Sequence, residues 1–389
     1  MHLTVYIITA IAYALAGCYV LYILFFFFGF RRLKRQVLKE DREMPPLTVI
    51  VCAKDEEAHI ETCIRSILAQ NYPKDKFGII AVNDRSGDRT GSILDALSHE
   101  NEQLRVLHLS DCPAGVSPKK NAIAKAIALS GTEFIVASDA DAQHDPDWLR
   151  SYGSLCSDKL GAATGMCLFK KDTYASPWEE TWQSMQTLLN LSYSMVISGA
   201  MANGFAITAY GSNMMYRKQL FTEGSAMKDH IVSGDDSFIV FEAHRRKYDV
   251  VFNAHPASVV RNVPEDSIRG VINQQIRWAS HVTKMTVPVV LLGLTVFFFY
   301  LSLILMPLLA FADISVLAYW GGLVLIKAVC DLLYMSYTLK KFNISYRFRH
   351  LLLMEIFQAP FIVCIGLYGT FGKFTWKGST YKKTLPKAK

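Results

Sequence analysis

From Leu3 to Phe30 the sequence contains no Asp, Glu, Lys or Arg. At about 1.5 Å per helical residue, this run is long enough to cross a hydrocarbon core of about 30 Å. Other absences narrow the chemistry. No G-x-G-x-x-G follows the first strand candidate, and no G-x-x-x-x-G-K-[ST] occurs anywhere. A dinucleotide-dependent dehydrogenase and a P-loop nucleotidase are therefore disfavoured. The eight cysteines, at 18, 52, 63, 112, 156, 167, 330 and 364, include no C-x-x-C pair. They imply neither a zinc site nor a disulfide framework, and reduced thiols in a cytosolic compartment are expected.

Acids are also missing from three basic windows. Residues 31–39 hold five Lys/Arg, 340–349 hold four and 373–389 hold six. The formal net charge is +7, so removing these 15 charges leaves −8 for everything else. A basic excess beside apolar runs, around an acidic body, points to membrane flanks and not to a nucleic-acid groove. With 51% hydrophobic residues, the chain is neither disordered nor collagen-like, and a wholly soluble enzyme is disfavoured.

Arg31-Arg32-Lys34-Arg35 follows the first apolar run, with no basic segment ahead of it. That order suits an anchor better than a cleaved leader. The positive-inside rule puts residue 31 onward in the cytoplasm and the N-terminus outside. The expected plan is a transmembrane helix over 1–30, a basic linker over 31–44 and a cytoplasmic catalytic domain over 45–265. An amphipathic interfacial helix (266–284), a C-terminal membrane region (286–372) and a basic cytoplasmic tail (373–389) follow. Within the membrane region, spans at about 286–312 and 314–338 would leave and re-enter the cytoplasm. The fourth stretch, 351–371, is interrupted by Glu355, Gln358 and Pro360. Both of its flanks are basic, so a re-entrant or interfacial helix is expected, with a true span as the alternative. Lys327 and Asp331 lie four apart and are expected to pair on one helix face as a neutralised structural pair, with a role near a lipid headgroup as the alternative.

Residues 45–284 alternate short apolar runs with helical patterns. Strand candidates are 47–53, 78–83, 104–109 and 134–138, separated by helices over 56–70, 88–100 and 118–130. This alternation predicts a doubly wound, parallel, Rossmann-like α/β sheet whose ligands bind at the carboxyl ends of the strands. Asp55-Glu56-Glu57, Asn83-Asp84 and Asp139-Ala140-Asp141 stand at those ends. Carboxylates hold a diphosphate only through a cation, and hard oxygen ligands suit Mg²⁺ or Mn²⁺. In an extended segment Asp139 and Asp141 point the same way. On a helix Gln274, Arg277 and Trp278 share a face and would form an amide, guanidinium and indole clamp.

Taken in order, these segments resemble the inverting family 2 glycosyltransferases that combine a GT-A fold with membrane anchors. VIVCAKDEE (50–57) is similar to that family's opening strand and nucleotide loop. AVNDRSGDRT (81–90) is similar to its D-D-x-S-x-D-x-T turn, and 118–123 to its G-K-x-x-A-L segment. ASDAD (137–141) looks like its metal motif, Gly234-Asp235-Asp236 like its catalytic carboxylate, and Q-x-x-R-W (274–278) like its membrane signature. Asn83, Lys54 and Pro118 depart from the usual acid, aromatic and glycine.

The resemblance implies that Asp84, helped by Asp55 or Glu57, contacts the nucleobase or ribose and that Lys119 steadies the diphosphate. Asp139 would touch the ribose or metal, Asp141 would ligate the metal, and Asp236 would be the general base, its proton affinity raised by Asp235. Residues 210–217 look like an acceptor-side loop in which Arg217 is either a phosphate contact or a solvated surface residue. The implied activity is inverting transfer from a nucleotide-diphosphate sugar, UDP-linked by resemblance, to a membrane-associated, lipid-linked acceptor, with no nucleic-acid partner. A processive polysaccharide synthase is the rival; three or four membrane segments are marginal for its channel in one chain, and a homo-oligomer could supply it. A non-catalytic scaffold is the alternative of another class.

Overall fold

The computed structural model describes residues 2–33, 37–38, 44–169, 174–223, 231–377 and 379–381. Lys34, Arg35 and most of the basic tail lie outside them. The chain divides into two compact units: Met1–Arg31, Tyr174–Gly199 and Glu265–Phe374 make one, and Arg32–Thr173, Ala200–Pro264 and Thr375–Lys389 the other. Residues 174–199, within the segment 45–265, belong to the helical unit.

The α/β unit is built on β1 (Leu47–Ala53), β2 (Phe77–Asp84), β3 (Leu104–Leu109), β4 (Phe134–Asp139), β5 (Ala142–Gln143), β6 (Leu160–Thr164), β7 (Cys167–Phe169), β8 (Asn213–Arg217), β9 (Asp249–Phe252) and β10 (Val260–Asn262). Seven of these strands form one sheet in the order β3-β2-β1-β4-β8-β6-β9. The first four are parallel, as expected. β1 reads as a nearly unbroken apolar run because helices cover both sheet faces. Between its strands lie α2 (Ile60–Leu68), α3 (Thr90–Glu100) and α4 (Pro118–Leu129), and Val49, Val51, Ile64, Ile67 and Val136 meet in its core.

β8 corrects the expectation of a loop over 210–217, since Asn213–Arg217 is a strand, and it makes the sheet mixed. It is a central strand antiparallel to both β4 and β6. Its two polar ends are buried. Asn213 accepts from Trp148 Nε1 at 2.9 Å and donates to the carbonyls of Met166 and Ser258, each at 2.8 Å. Arg217 is neither phosphate contact nor surface residue. It donates to the Ser157 carbonyl at 2.6 Å, bonds the Leu160 carbonyl, pairs with Glu133 and lies over the rings of Phe134 and Tyr248.

A small sheet, β5-β10-β7, adjoins the end of β4. The remaining helices of this unit are α5 (Trp148–Gly153), α7 (Lys218–Thr222) and α8 (Asp235–Arg245).

The helical unit contains α1 (His2–Arg32), α6 (Pro177–Ala202), α9 (Ile268–Ala279), α10 (Val287–Leu305), α11 (Val316–Lys341) and α12 (Phe348–Phe371). Among the described residues, four stretches are long and apolar enough to cross a membrane: Leu3–Arg32, Val287–Phe311, Val316–Lys341 and Phe348–Phe371. The last, expected as a re-entrant or interfacial helix with a true span as the alternative, forms one continuous helix containing Pro360. Val5, Ala12, Phe299, Leu323 and Val363 pack together among these helices. The helix expected over 266–284 stops at Ala279, and a short 3₁₀ turn over Val282–Lys284 separates it from α10.

Candidate active site

The ends of β1 and β2 carry the first two acidic clusters, and each strand leaves the sheet through a non-glycine residue in the left-handed region, Asp55 at φ 53° and Arg85 at φ 58°. Such a conformation is disfavoured for a side chain bearing a Cβ, and here the neighbouring loops hold it in place. Asp55 Oδ1 accepts from the Gly87 amide at 2.8 Å, and Glu57 accepts from the Arg89 amide and Nε, both at 3.1 Å. The two residues expected at the nucleotide thus brace the 54–59 loop against the 85–90 turn.

Asp84 is buried and forked with Arg85, at 2.8 and 3.1 Å. Asn83, standing where an acid is usual, bonds His108, which in turn bonds Asp95.

Glu56, the middle acid that sequence reasoning passed over, is the one directed into the site. It pairs with Lys377 at 2.7 Å and bears electrostatically on Asp141. Lys377 lies in the turn between β11 (Phe374–Trp376) and β12 (Ser379–Tyr381), so the segment after the last apolar helix returns to the α/β unit.

β4 delivers Asp139, and the turn into β5 delivers Asp141. A buried relay supports the turn. His144 contacts Ser66 Oγ at 2.9 Å and Ser138 Oγ at 3.1 Å, and Ser138 Oγ donates to the Asp139 carbonyl at 3.0 Å. Burial pulls the His144 imidazole down to about 3, so the ring is neutral.

Asp139 Oδ1 receives Lys119 Nζ at 2.8 Å. Burial opposes the charge on Lys119, but Asp139 and Asp235 outweigh it and hold the ammonium well above its ordinary value. Burial, then Asp139 and Glu56, push the Asp141 carboxyl up to about 7.

A divalent cation fits this group. Asn262 on β10 donates to Asp141 at 3.4 Å, while its own Oδ1 is buried without a hydrogen-bond partner. Two carboxylates beside an orphaned amide oxygen are hard ligands of the kind Mg²⁺ or Mn²⁺ takes. Among the described residues no three His, Cys, Asp or Glu form a group that could hold a metal ion.

Asp236 occupies the first turn of α8, whose N-cap is Gly234 at φ 90°, a conformation that suits glycine. Its Oδ1 accepts from the Ser237 amide at 2.6 Å. A Cβ built on Gly211 would stand 3.5 Å from Asp236 Oδ2 and 3.8 Å from Lys119 Nζ, which places β8's approach, the base candidate and the lysine around one spot. Burial, then Asp235, push the Asp236 carboxyl up to about 6. Desolvation is thus the larger cause, and the neighbouring acid expected to raise the proton affinity is the second. The thiol of Cys52, near Lys119, is pushed up to about 12 by burial and is no nucleophile; no disulfide joins the eight cysteines, all of them described residues.

Gln274, Arg277 and Trp278 lie on α9 of the helical unit. There Gln274 donates to Glu265 at 3.4 Å and Trp278 packs edge-on against Tyr193. Arg85, Asn262, Glu56 and Lys377 contact the candidate residues Asp84 and Asp141 or one another and were not singled out from the sequence.

Residues 45–280 match the family described as "Glycosyltransferase like family 2". The probable glycosyltransferase YdaM of Bacillus subtilis is 24% identical over 61% of this chain and 55% of its own length. A beta-monoglucosyldiacylglycerol synthase of Trichormus variabilis is 27% identical over 61% and 48%. The chain therefore spans about half the length of the curated relatives it matches. Among solved structures, the mannosyltransferase PcManGT of Pyrobaculum calidifontis, in complex with GDP-Man and Mn²⁺, superposes with a TM-score of 0.56 at 17% identity. That alignment covers 93% of this chain and 98% of that one and shows a shared GT-A-like fold. With the family match extending over more than half of its residues, the chain belongs to the glycosyltransferase-like family 2.

Proposed function

We propose that the chain is an inverting, metal-dependent glycosyltransferase that moves a sugar from a UDP-linked donor to a lipid acceptor at the cytoplasmic face of a membrane. The observation that carries the reading is the placement of Asp236, a carboxyl of raised proton affinity, beside the Lys119–Asp139 pair. The acceptor hydroxyl oxygen bonds to the anomeric carbon as that carbon's bond to the diphosphate breaks. Its proton passes to the Asp236 carboxylate, whose affinity near neutrality suits a general base. The nucleoside diphosphate leaves with the bonding pair, and a single displacement inverts the anomeric centre. Lys119 supplies a fixed positive charge at this place. A Mg²⁺ or Mn²⁺ ion held by Asp141 and Asp139, with Asn262 Oδ1 beside them, would supply further charge stabilisation for the departing diphosphate.

The lipid acceptor is supported by the four apolar helices and by the similarity to the diacylglycerol glycolipid synthase. The cytoplasmic face is supported by the Lys/Arg excess flanking those helices. Gln274, Arg277 and Trp278 are proposed to contribute to donor binding.

Membranes containing the full chain, incubated with a panel of labelled nucleotide sugars, test the reading. A labelled product that extracts into organic solvent, formed only with divalent cation present, is the expected result. A high-molecular-weight polymer would replace the acceptor with a growing glycan. No transfer or hydrolysis with any nucleotide sugar would leave a non-catalytic scaffold.

A further inference from the structure

The Q-x-x-R-W helix is braced by a second helix of its own unit, at two points in register. Gln186 and Tyr193 are seven residues apart on α6, two turns along one face. Gln186 clasps the backbone of Glu265: its Nε2 donates to the Glu265 carbonyl at 2.8 Å, and its Oε1 accepts from the Glu265 amide at 3.0 Å. Tyr193 donates its hydroxyl to Gln275 Oε1 at 2.7 Å, and its ring meets Trp278 at 6.3 Å between centroids, inclined at 69°.

The same end of α9 is tied down further. Ser267 caps the helix through the Gly270 amide at 3.0 Å, and Gln274 reaches Glu265. A Cβ on Gly270 would lie 2.6 Å from the Glu265 carboxylate, so a larger residue there would push the end of that side chain aside.

Gln275 is buried inside the motif and takes no direct part in the face made by Gln274, Arg277 and Trp278. Its amide is a handle. Rotation of α9 about its axis would strand that buried oxygen, a loss that a hydrocarbon contact could not enforce. Burial raises the Tyr193 phenol further above its ordinary value, so the hydroxyl stays protonated and keeps donating.

We propose that Tyr193 is a positioning residue for the Q-x-x-R-W motif. Its hydroxyl fixes the rotation of α9 through Gln275, and its ring fixes the Trp278 indole. Residues 174–199 leave the α/β unit to supply this splint. The proposal rests on the reading of the motif as part of donor binding.

The test uses the purified full chain in detergent with a UDP-sugar that it turns over. Donor KM, kcat and the thermal midpoint are measured for Tyr193→Phe, Tyr193→Phe/Gln275→Leu and Arg277→Ala. Tyr193→Phe keeps the ring and removes the donor. It should raise donor KM about tenfold, the scale of one lost hydrogen bond, with kcat less affected. Removing the stranded acceptor in the double variant should bring KM back toward the starting value. A wild-type KM in Tyr193→Phe, while Arg277→Ala raises KM, would overturn the positioning role and leave the motif's role standing. A wild-type KM in Arg277→Ala would overturn both. If Tyr193→Phe lowers the midpoint, recovery of midpoint and KM together in the double variant supports the proposal. Recovery of the midpoint alone overturns it.

Discussion

Lys327 Nζ lies 2.6 Å from the Glu355 carboxylate, joining α11 to α12 across 28 residues of sequence. Asp331 at 2.8 Å and Gln358 at 2.7 Å complete its three donor positions, and Tyr19 of α1 reaches the same Asp331. The two polar residues that seemed to break the fourth apolar stretch therefore have partners inside the bundle, and α12 remains continuous. Lys327→Met removes the cation and leaves two carboxylates facing each other. Loss of one partner from a buried ionic group costs about 3–5 kcal/mol, so the thermal midpoint in detergent should fall markedly. Adding Asp331→Asn and Glu355→Gln should restore part of it. An unchanged midpoint in Lys327→Met would show that the network does not hold these helices.

Asp236→Asn keeps the shape of the first turn of α8 and removes the proton acceptor. Turnover should fall by about 10²–10⁴-fold, while titration of the nucleotide in a calorimeter should give nearly unchanged affinity. Because burial and Asp235 hold the carboxyl at about 6, the native rate should be full at neutral pH and fall as pH drops through that value. With divalent cation saturating, so that proton competition at Asp141 is overcome, the acid limb belongs to the base because only its deprotonated form accepts the acceptor proton. A pH–rate profile that stays flat below about 6 would remove Asp236 from that role.

The parallel strands were readable because burial on both faces turns β1 and β4 into short apolar runs. Asp139 and Asp141 stood out because they follow such a run directly. Three features were hidden for physical reasons. β8 begins with Asn and ends with Arg, and those polar ends look like a loop until their buried hydrogen bonds are seen. The left-handed turn at Asp55 redirects the chain, so that Glu56 enters the site while its two neighbours brace loops. Lys377 lies 321 residues from its partner in sequence, a separation that no local pattern bridges.

Divalent-ion binding should report on Asp141. The carboxyl is held at about 7 by burial, Asp139 and Glu56, and a cation must displace that proton to be ligated. Apparent affinity for Mn²⁺ alone should therefore rise as pH increases through about 7 and level off above it. Asp141→Asn should weaken binding and flatten this dependence. Asn262→Ala should weaken binding with the pH dependence retained, because the amide does not titrate. Chelator should abolish transfer in the native chain. Equal Mn²⁺ affinity in the native chain and Asp141→Asn would place the ion elsewhere.

The pairing of Lys377 with Glu56 gives the last prediction. Glu56 is half-buried near Asp141, and the lysine offsets one of three clustered negative charges. Lys377→Glu would add a fourth charge at the place where an anionic donor is proposed to bind. Donor KM should rise more for Lys377→Glu than for Lys377→Ala, and added salt should narrow the gap by screening the exposed part of the field. Reversing the pair, Glu56→Lys with Lys377→Glu, should recover part of the loss if the contact itself positions the β11–β12 turn. If both single variants bind donor as the native chain does, the turn has no part in donor binding.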